Sequence, residues 1–256
     1  LADRGSFDLI DDFAAPLPVF VIASMLGIQD FDLQKLTAWS FELSRILDPL
    51  VSLRDYQSMD EIVRGFEACF REFFAVRRAQ PADDIISVLL ARAQGHDDLQ
   101  ERDLAAICTM LFATGEETTV NLIGNGMHAL MTHRDQLDRL VAEPALMPSA
   151  VEELLRFESP LQLNNRLTTA AMHIGGVDVP PGSFLTLCIG AANRDPARFP
   201  DPDRFDPERS NARTHIAFGK GIHMCVGNML SRKEMTVAFQ QLLARLDDIR
   251  IAEGAE

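Results

Sequence analysis

One cysteine of this chain stands in a glycine-rich loop directly before a long helical pattern. The loop reads Phe218-Gly219-Lys220-Gly221-Ile222-His223-Met224-Cys225-Val226-Gly227, and apolar periodicity then predicts a helix over Met229–Leu246. The unpaired N–H groups and positive dipole end of a helix N-terminus stabilise a thiolate. Glycines let the backbone curl around the sulfur, and Gly227 leaves one side bare for a flat cofactor. We therefore predict that Cys225 is a metal-bound thiolate; a buried structural cysteine is the alternative.

A second motif interrupts a helical pattern that runs from Arg102 to about Met131. The segment Ala113-Thr114-Gly115-Glu116-Glu117-Thr118-Thr119 places a glycine mid-helix, where Gly costs about 1 kcal/mol relative to Ala. Residues that disfavour a helix at one place in an otherwise helical pattern indicate a functional site. The Thr118 hydroxyl can bond back to a helix carbonyl and bend the helix, and a partly buried Glu117 can relay protons. A polar stretch on a surface helix is the alternative interpretation.

The two motifs together resemble those of the cytochrome P-450 haem-thiolate monooxygenases. The segment Phe218–Arg232 is similar to the family's cysteine-ligand loop at its phenylalanine, glycines, histidine, cysteine, leucine and final arginine. The family's oxygen-side helix is matched at Gly115, Glu117 and Thr118, with Glu in place of the frequent Asp. The resemblance extends from the first residue to about residue 248.

This resemblance implies a cofactor, haem b, with Cys225 as the axial thiolate ligand. Phe218, Gly219 and Gly227 are then cofactor-binding loop residues, and Thr118 with Glu117 delivers protons. A thiolate axial ligand pushes electron density toward O–O cleavage.

Five further residues acquire roles by the same resemblance. Arg166 and His223 match positions that bind haem propionates, a charge-assisted task that suits Arg. Glu153, Arg156 and Arg209 match a buried triad that supports the cysteine loop, and we expect a structural role for them. The alternatives are a loop histidine without a ligand and an ordinary surface ion pair between Glu153 and Arg156.

The predicted fold is mainly α with a small β region, an incomplete cytochrome P-450 fold with one long central helix. We expect a single partial domain over 1–256, in which 1–160 is helical and 161–256 holds short strands, a meander, the cysteine loop and the following helix. The individual predictions are helices over Phe7–Gly27, Asp32–Leu47, Met59–Arg78, Pro81–Arg92 and 102–131, a capping box at Ser149–Glu152, and strands over Leu161–Arg166, His173–Val179 and Ser183–Ile189.

Composition narrows the class of protein. A net charge of −14 over 256 residues argues against nucleic acid or an anionic membrane as a partner. The four cysteines are widely spaced, without a C-x-x-C pair, which indicates a reducing cytoplasm. No apolar run reaches membrane-spanning length. The resemblance implies that the N-terminal portion and the extreme C-terminus of the family fold are missing from this chain. We therefore expect the chain alone to be poorly soluble and to bind little haem.

The resemblance implies a soluble, bacterial-type monooxygenase that inserts one atom of O2 into an apolar small molecule. Its electrons would come from a ferredoxin or flavodoxin. The expected pocket residues are Met110, Ala113, Leu163 and Asn164. Because these side chains are apolar or neutral, they do not identify the substrate. Two alternatives remain: a haem-thiolate enzyme that uses peroxide or rearranges its substrate without O2, and a truncated, non-catalytic relative that holds no haem.

Overall fold

The computed structural model describes residues 4–28, 32–45, 52–95 and 99–254. Its chain divides into two compact units, Asp8–Val120 (the first unit) and Asn121–Glu256 with Leu1–Phe7 (the second unit). The described residues are mainly helical with a small amount of strand, as predicted. A single domain over the whole chain stays a prediction.

The first unit is built from helices whose starts are set by side-chain caps. Asp32 accepts the Lys35 N–H at 3.1 Å, and Asp84 accepts the Ser87 N–H at 2.8 Å. A π-helical turn, Ile10–Ala14, precedes the first helix. The helices are α1 (Pro16–Leu26), α2 (Leu33–Ser44), α3 (Leu53–Ala79), α4 (Ile85–Ala93) and the first part of α5 (Glu101–Thr132).

The predicted helices are present, but several of their ends differ: α1 begins at Pro16 rather than Phe7, and α4 begins at Ile85 rather than Pro81. Helix α3 begins before the predicted Met59, because Ser52 and Asp55 form a reciprocal capping box that the sequence interpretation missed. The predicted end of α2, at Leu47, lies outside the described residues. The long predicted helix is confirmed as α5, which contributes residues to both units.

The core of the first unit is a phenylalanine stripe on α3. Phe66, Phe70 and Phe74 are fully buried, at the spacing of four that aligns side chains on one helix face. Adjacent rings of the stripe stack, with centroids 6.1 and 6.3 Å apart. Phe112 of α5 packs on Phe66 at 6.0 Å. Burial of this stripe fixes the face that α5 turns toward α3.

The second unit pairs helices with two small antiparallel sheets. Helix α7 packs against α9, and Gly126 of α5 allows the Phe239 ring and the Leu154 side chain to approach closely. The elements are α6 (Arg134–Ala142), α7 (Met147–Phe157), β1 (Leu163–Leu167), β2 (Met172–Ile174), β3 (Val177–Val179), β4 (Phe184–Cys188), α8 (Ile189–Ala192) and α9 (Asn228–Arg245). Strand β1 pairs with β4, and β2 pairs with β3.

Two local predictions in this unit are wrong. Helix α7 begins at Met147 without a side-chain cap, so the capping box predicted at Ser149 does not form. The single strand predicted over His173–Val179 is a hairpin, because Gly175 and Gly176 adopt positive φ and reverse the chain. The segment from 193 to 213 is an irregular meander, as predicted.

Candidate active site

Hydrogen bonds fix both backbone polar groups of Cys225, its N–H and its carbonyl. The Cys225 N–H donates to the Phe218 carbonyl at 2.9 Å, and the Cys225 carbonyl accepts from Asn228 Nδ2 at 2.7 Å. Gly219 and Gly221 have φ of 69° and 81°, a left-handed backbone that L side chains rarely adopt. The glycines therefore make the tight turns that present Cys225 at the N-terminus of α9.

The surroundings of the Cys225 sulfur are apolar and open. Ile222, Val226 and Met229 are 97%, 75% and 73% exposed, and the thiol itself is free. A Cβ added to Gly227 would lie 3.9 Å from Sγ, so a side chain there would occupy space beside the sulfur. No hydrogen bond from a loop N–H to Sγ is found within the described residues, unlike the prediction. A free thiol with apolar neighbours fits a flat, apolar metal cofactor.

Arg166 and His223 both carry side-chain N–H groups that can bind an anion. Arg166 lies half-buried on β1, where its Nη1 donates to Asn164 Oδ1 and to the Asn165 carbonyl, both at 2.7 Å. His223 is exposed in the cysteine loop. Across the described ranges, neither side chain forms an ion pair with a carboxylate. Both are therefore free to pair with the propionates of a haem, which remains a proposed role.

The predicted triad is a buried cluster in the second unit. Arg156 Nε and Nη2 donate to the two Glu153 carboxylate oxygens at 2.7 and 2.8 Å, and Arg209 Nε donates to Glu153 Oε1 at 3.0 Å. Both Glu153 and Arg156 are fully buried. Arg156 also donates to the carbonyls of Asn193 and Pro202. The cluster thus connects α7 to the meander.

A second buried acid beside the triad was missed by the sequence interpretation. Glu152 accepts from His215 Nε2 at 3.1 Å and from Arg232 Nε at 2.8 Å. Burial alone would raise its pKa, but the hydrogen bonds from His215 and Arg232 lower the pKa of Glu152 to about 2. The adjacent pair Glu152-Glu153 was the signal in the sequence that could have identified this acid. When both acids are buried on one helix, each needs a cationic partner.

The threonine motif lies in the first unit, on an unbroken stretch of α5. Thr118 Oγ1 donates to the Thr114 carbonyl at 3.4 Å, the back-bond that the sequence predicts, while the helix continues through Gly115. Glu117 and Thr118 are both half-buried. The motif therefore presents a carboxylate and a weakly held hydroxyl one residue apart.

The neighbouring acid, Glu116, is more deeply buried than Glu117. It is 6% exposed, and its Oε2 has no hydrogen-bond partner among the described residues. Burial raises the pKa of Glu116 to about 7, partly offset by the Ser40 hydroxyl and reinforced by the negative charge of Glu117. The sequence interpretation did not single out Glu116, because two adjacent acids differ only in helix phase.

A cavity of about 340 Å³ within the first unit opens on the threonine motif. Its walls come from α2, α3 and α5. Most of its lining is aliphatic carbon, with carboxylates from Glu67 and Glu117. The lining residues are Leu43, Ser44, Val63, Glu67, Ala106, Thr109, Met110, Ala113, Thr114, Glu117 and Thr118. Met110 and Ala113 therefore lie where the sequence predicts pocket residues, whereas Leu163 and Asn164 belong to β1 of the second unit.

A second cavity, of about 340 Å³, borders the cysteine loop in the second unit. Four cations line it: Arg198, Arg213, Lys220 and Arg232. The Arg213 side chain is 78% exposed. This concentration of positive charge contrasts with the net charge of −14 of the whole chain.

Comparison with known proteins agrees with these motifs. The cytochrome P450 family model matches residues 40–248. The chain belongs to the cytochrome P450 family. This P450 chain is 41% identical to cytochrome P450 107B1 and 37% identical to 6-deoxyerythronolide B hydroxylase, both of Saccharopolyspora erythraea. Each match includes all of this chain and 62% of the relative.

Solved P450 structures show the same fold. One is P450BioI in complex with an acyl carrier protein ligated to hexadec-9Z-enoic acid, at TM-score 0.92 and 37% identity over 98% of this chain and 65% of that one. Another is a myxobacterial cytochrome P450 in complex with myristic acid, at TM-score 0.90 and 41% identity over 98% of this chain and 62% of that one. The chain thus spans less than two thirds of these relatives.

Membership of the P450 family implies haem with cysteine thiolate ligation. Cys225 with its apolar neighbours fits that group, and so do the Arg166 and His223 side chains, which have no carboxylate partner within the described residues. No helix in the described ranges is long and apolar enough to cross a membrane.

Proposed function

We propose that this P450 is a haem-thiolate monooxygenase that inserts one atom of O2 into an apolar small molecule. The observation that supports it most is the cysteine loop: an open thiol in an apolar setting, with both backbone groups of Cys225 hydrogen-bonded. A metal-ligating thiolate needs this access and this fixed direction. The acid and hydroxyl pair on α5 supplies the second requirement, delivery of protons.

Cys225 is the proposed ligand of haem b, which would supply the redox chemistry that activates dioxygen. Phe218, Gly219 and Gly227 shape the loop around the ligand. Arg166 and His223 would hold the propionates by charge-assisted hydrogen bonds. These roles require no rearrangement of ion pairs, since neither side chain is paired with a carboxylate within the described residues.

The triad Glu153, Arg156 and Arg209 has a proposed structural role. Its three side chains are buried, and their remaining N–H groups bind meander carbonyls such as those of Asn193 and Pro200. Removing one partner from such a cluster leaves a buried charge uncompensated, which costs about 3–5 kcal/mol. The triad therefore fixes the meander that precedes the cysteine loop.

Thr118 and Glu117 are the proposed proton carriers. The Thr118 back-bond, at 3.4 Å, is at the long end of hydrogen-bond lengths, so the hydroxyl can turn toward another acceptor at little cost. Glu117 lies half-buried on the wall of the α5 cavity, where it can exchange protons with water. The pair thus moves protons without contributing to cofactor binding.

The cavity beside this pair is the proposed substrate site. Its aliphatic lining from Leu43, Val63 and Ala106 favours an apolar molecule, and its volume suits a small one. Hydroxyls from Thr109 and Thr114 offer orientation by hydrogen bonding.

A ferredoxin or flavodoxin is the proposed electron donor. The cations Arg198, Arg213 and Lys220 beside the cysteine loop support this choice, because an acidic partner is attracted to a local positive surface even on an acidic protein. A cytoplasmic location is also proposed, since all four cysteines are free thiols and thiols stay reduced there.

The experiment uses the haem-loaded protein with ferredoxin, ferredoxin reductase, ¹⁸O2 and a panel of apolar compounds that includes fatty acids. Compounds that shift the haem spin state are carried forward to turnover. A product that gains one labelled oxygen, only when the electron donor is present, is the expected result.

The alternatives give different products in the same assay. Product formed with hydrogen peroxide alone, and not with the donor and O2, would identify a peroxide-using enzyme. A product of unchanged mass would identify a rearrangement. If the protein does not take up haem, the remaining interpretation is a non-catalytic relative.

A further inference from the structure

A chain of hydrogen bonds connects the ligand loop to a buried acid on α7. Asn228 Nδ2 donates to the Cys225 carbonyl at 2.7 Å, and Arg232 Nη1 donates to Asn228 Oδ1 at 3.0 Å. Arg232 Nε in turn donates to Glu152 Oε1 at 2.8 Å. Every step has an ordinary hydrogen-bond length, and the chain crosses from α9 to α7 within the second unit.

The direction of this chain is fixed by arginine. Arg232 has donors and no acceptor, so the Asn228 atom that faces it must be the amide oxygen. The Asn228 NH2 group then necessarily points the other way, to the Cys225 carbonyl. Without the guanidinium, the Asn228 amide could rotate and present its oxygen to that carbonyl, which would break the bond.

Arg232 is itself held on two sides. Its Nε and Nη2 contact the two oxygens of Glu152 at 2.8 and 3.3 Å, and its guanidinium lies 4.5 Å from the centre of the Phe218 ring. The Phe218 carbonyl accepts the Cys225 N–H at 2.9 Å. One cation thus contacts both residues that bind the backbone of Cys225.

His215 shares the Glu152 carboxylate with Arg232. The Ala217 N–H donates to His215 Nδ1 at 3.1 Å, so that nitrogen carries no proton. The ring proton is then on Nε2, which donates to Glu152 Oε2 at 3.1 Å. The other cation near Glu152, Arg213, is 3.7 Å away and largely exposed.

We propose that Glu152 is a positioning residue for the Cys225 thiolate, acting through Arg232 and Asn228. Its carboxylate orients the guanidinium, the guanidinium orients the amide, and the amide holds the carbonyl of the ligand residue. The inference rests on the proposed function, because it concerns the state of a metal-bound thiolate. It adds a residue that touches neither the cofactor nor the ligand side chain.

The test compares Glu152→Gln with Glu158→Gln in the haem-loaded protein. Glu158 is the control, because it caps the C-terminus of α7, the helix that carries Glu152, and also pairs with an arginine, Arg194, at 3.0 Å. The measurement is the Soret spectrum of the reduced carbon-monoxide complex, followed as the red-shifted thiolate band converts to the blue-shifted band of a lost thiolate. The ferric–ferrous potential is measured in parallel.

Glu152→Gln is expected to speed the band conversion by about tenfold or more, the change that loss of a hydrogen bond to a charged group brings. Glu158→Gln is expected to leave the rate and the potential unchanged. Equal effects of the two variants would overturn the proposal, because a general loss of stability would then explain both.

A second variant, Asn228→Ala, removes the hydrogen bond to the Cys225 carbonyl directly. It can be measured even if Glu152→Gln does not fold. It removes a half-exposed amide and is expected to speed the conversion to a similar degree. The double variant should then add little, since both act on one carbonyl. Additive effects, or a silent Asn228→Ala, would refute the route through Asn228. Absence of the red-shifted band from the unsubstituted protein would instead refute the proposed function.

Discussion

The buried carboxyl of Glu116 makes the stability of this P450 depend on pH in a defined window. Its pKa rises from 4.5 to about 7 on folding, because burial disfavours the charged form. Well below pH 4.5 the Glu116 carboxyl is protonated in both the folded and the unfolded state, so it does not lower the free energy of unfolding there. As the pH rises toward 7, the unfolded state ionises first, so the free energy of unfolding falls.

The magnitude follows from those two pKa values. Between pH 5 and pH 8, the unfolded state gains about 2.5 kcal/mol relative to the folded state from this one group. The substitution Glu116→Gln removes the ionisation and keeps the shape of the side chain. We therefore expect the variant, relative to the unsubstituted protein, to be more stable at pH 8 than at pH 5 by about 2.5 kcal/mol.

The assay is denaturant unfolding of both proteins at pH 5, 6, 7 and 8. Glu234, whose pKa burial also raises to about 7, is present in both proteins and cancels in the difference. Glu61→Gln, an exposed acid on α3, is the matched control and should change stability by less than about 0.5 kcal/mol at every pH. A Glu116→Gln difference that stays constant with pH would show that Glu116 is ionised in the folded state.

Two other substitutions on α5 have effects that the structure makes specific. Thr118→Ala should retain haem but release more peroxide per electron consumed, and unchanged coupling would mean that the hydroxyl only packs. Gly126→Ala should lower the free energy of unfolding by about 1–3 kcal/mol, because its Cβ would lie 2.5 Å from Phe239 Cζ. Gly115→Ala is the matched control: its Cβ would meet Ile22 at 3.8 Å, so it should raise stability by about 0.5–1 kcal/mol. Equal signs for the two glycines would contradict this packing argument.

The sequence is most informative where the residues of a motif are contiguous along the chain. The cysteine loop and the threonine motif each fit within a dozen residues, so residue type and spacing predict their chemistry. The long helix α5 was also predictable, because its apolar periodicity is sustained. Roles that depend on haem contact, such as those of Arg166 and His223, stay predictions.

The sequence was insufficient where partners are distant or where helix phase decides. Glu152 meets His215 and Arg232 only after the meander folds back on α7, and no local pattern predicts that encounter. Glu116 and Glu117 are neighbours in sequence, yet only the packing of α5 buries the first more deeply. The cap expected at Ser149 failed for a related reason, since α7 begins two residues earlier.

The most direct test of the account is the ligand itself. Cys225→Ser is compared with Cys188→Ser, which removes the other exposed thiol, and the Soret band of the reduced carbon-monoxide complex is recorded for each haem-loaded protein. We predict that Cys188→Ser keeps the red-shifted thiolate band and that Cys225→Ser loses it. A red-shifted band that survives in Cys225→Ser would contradict the assignment of Cys225 as the haem ligand.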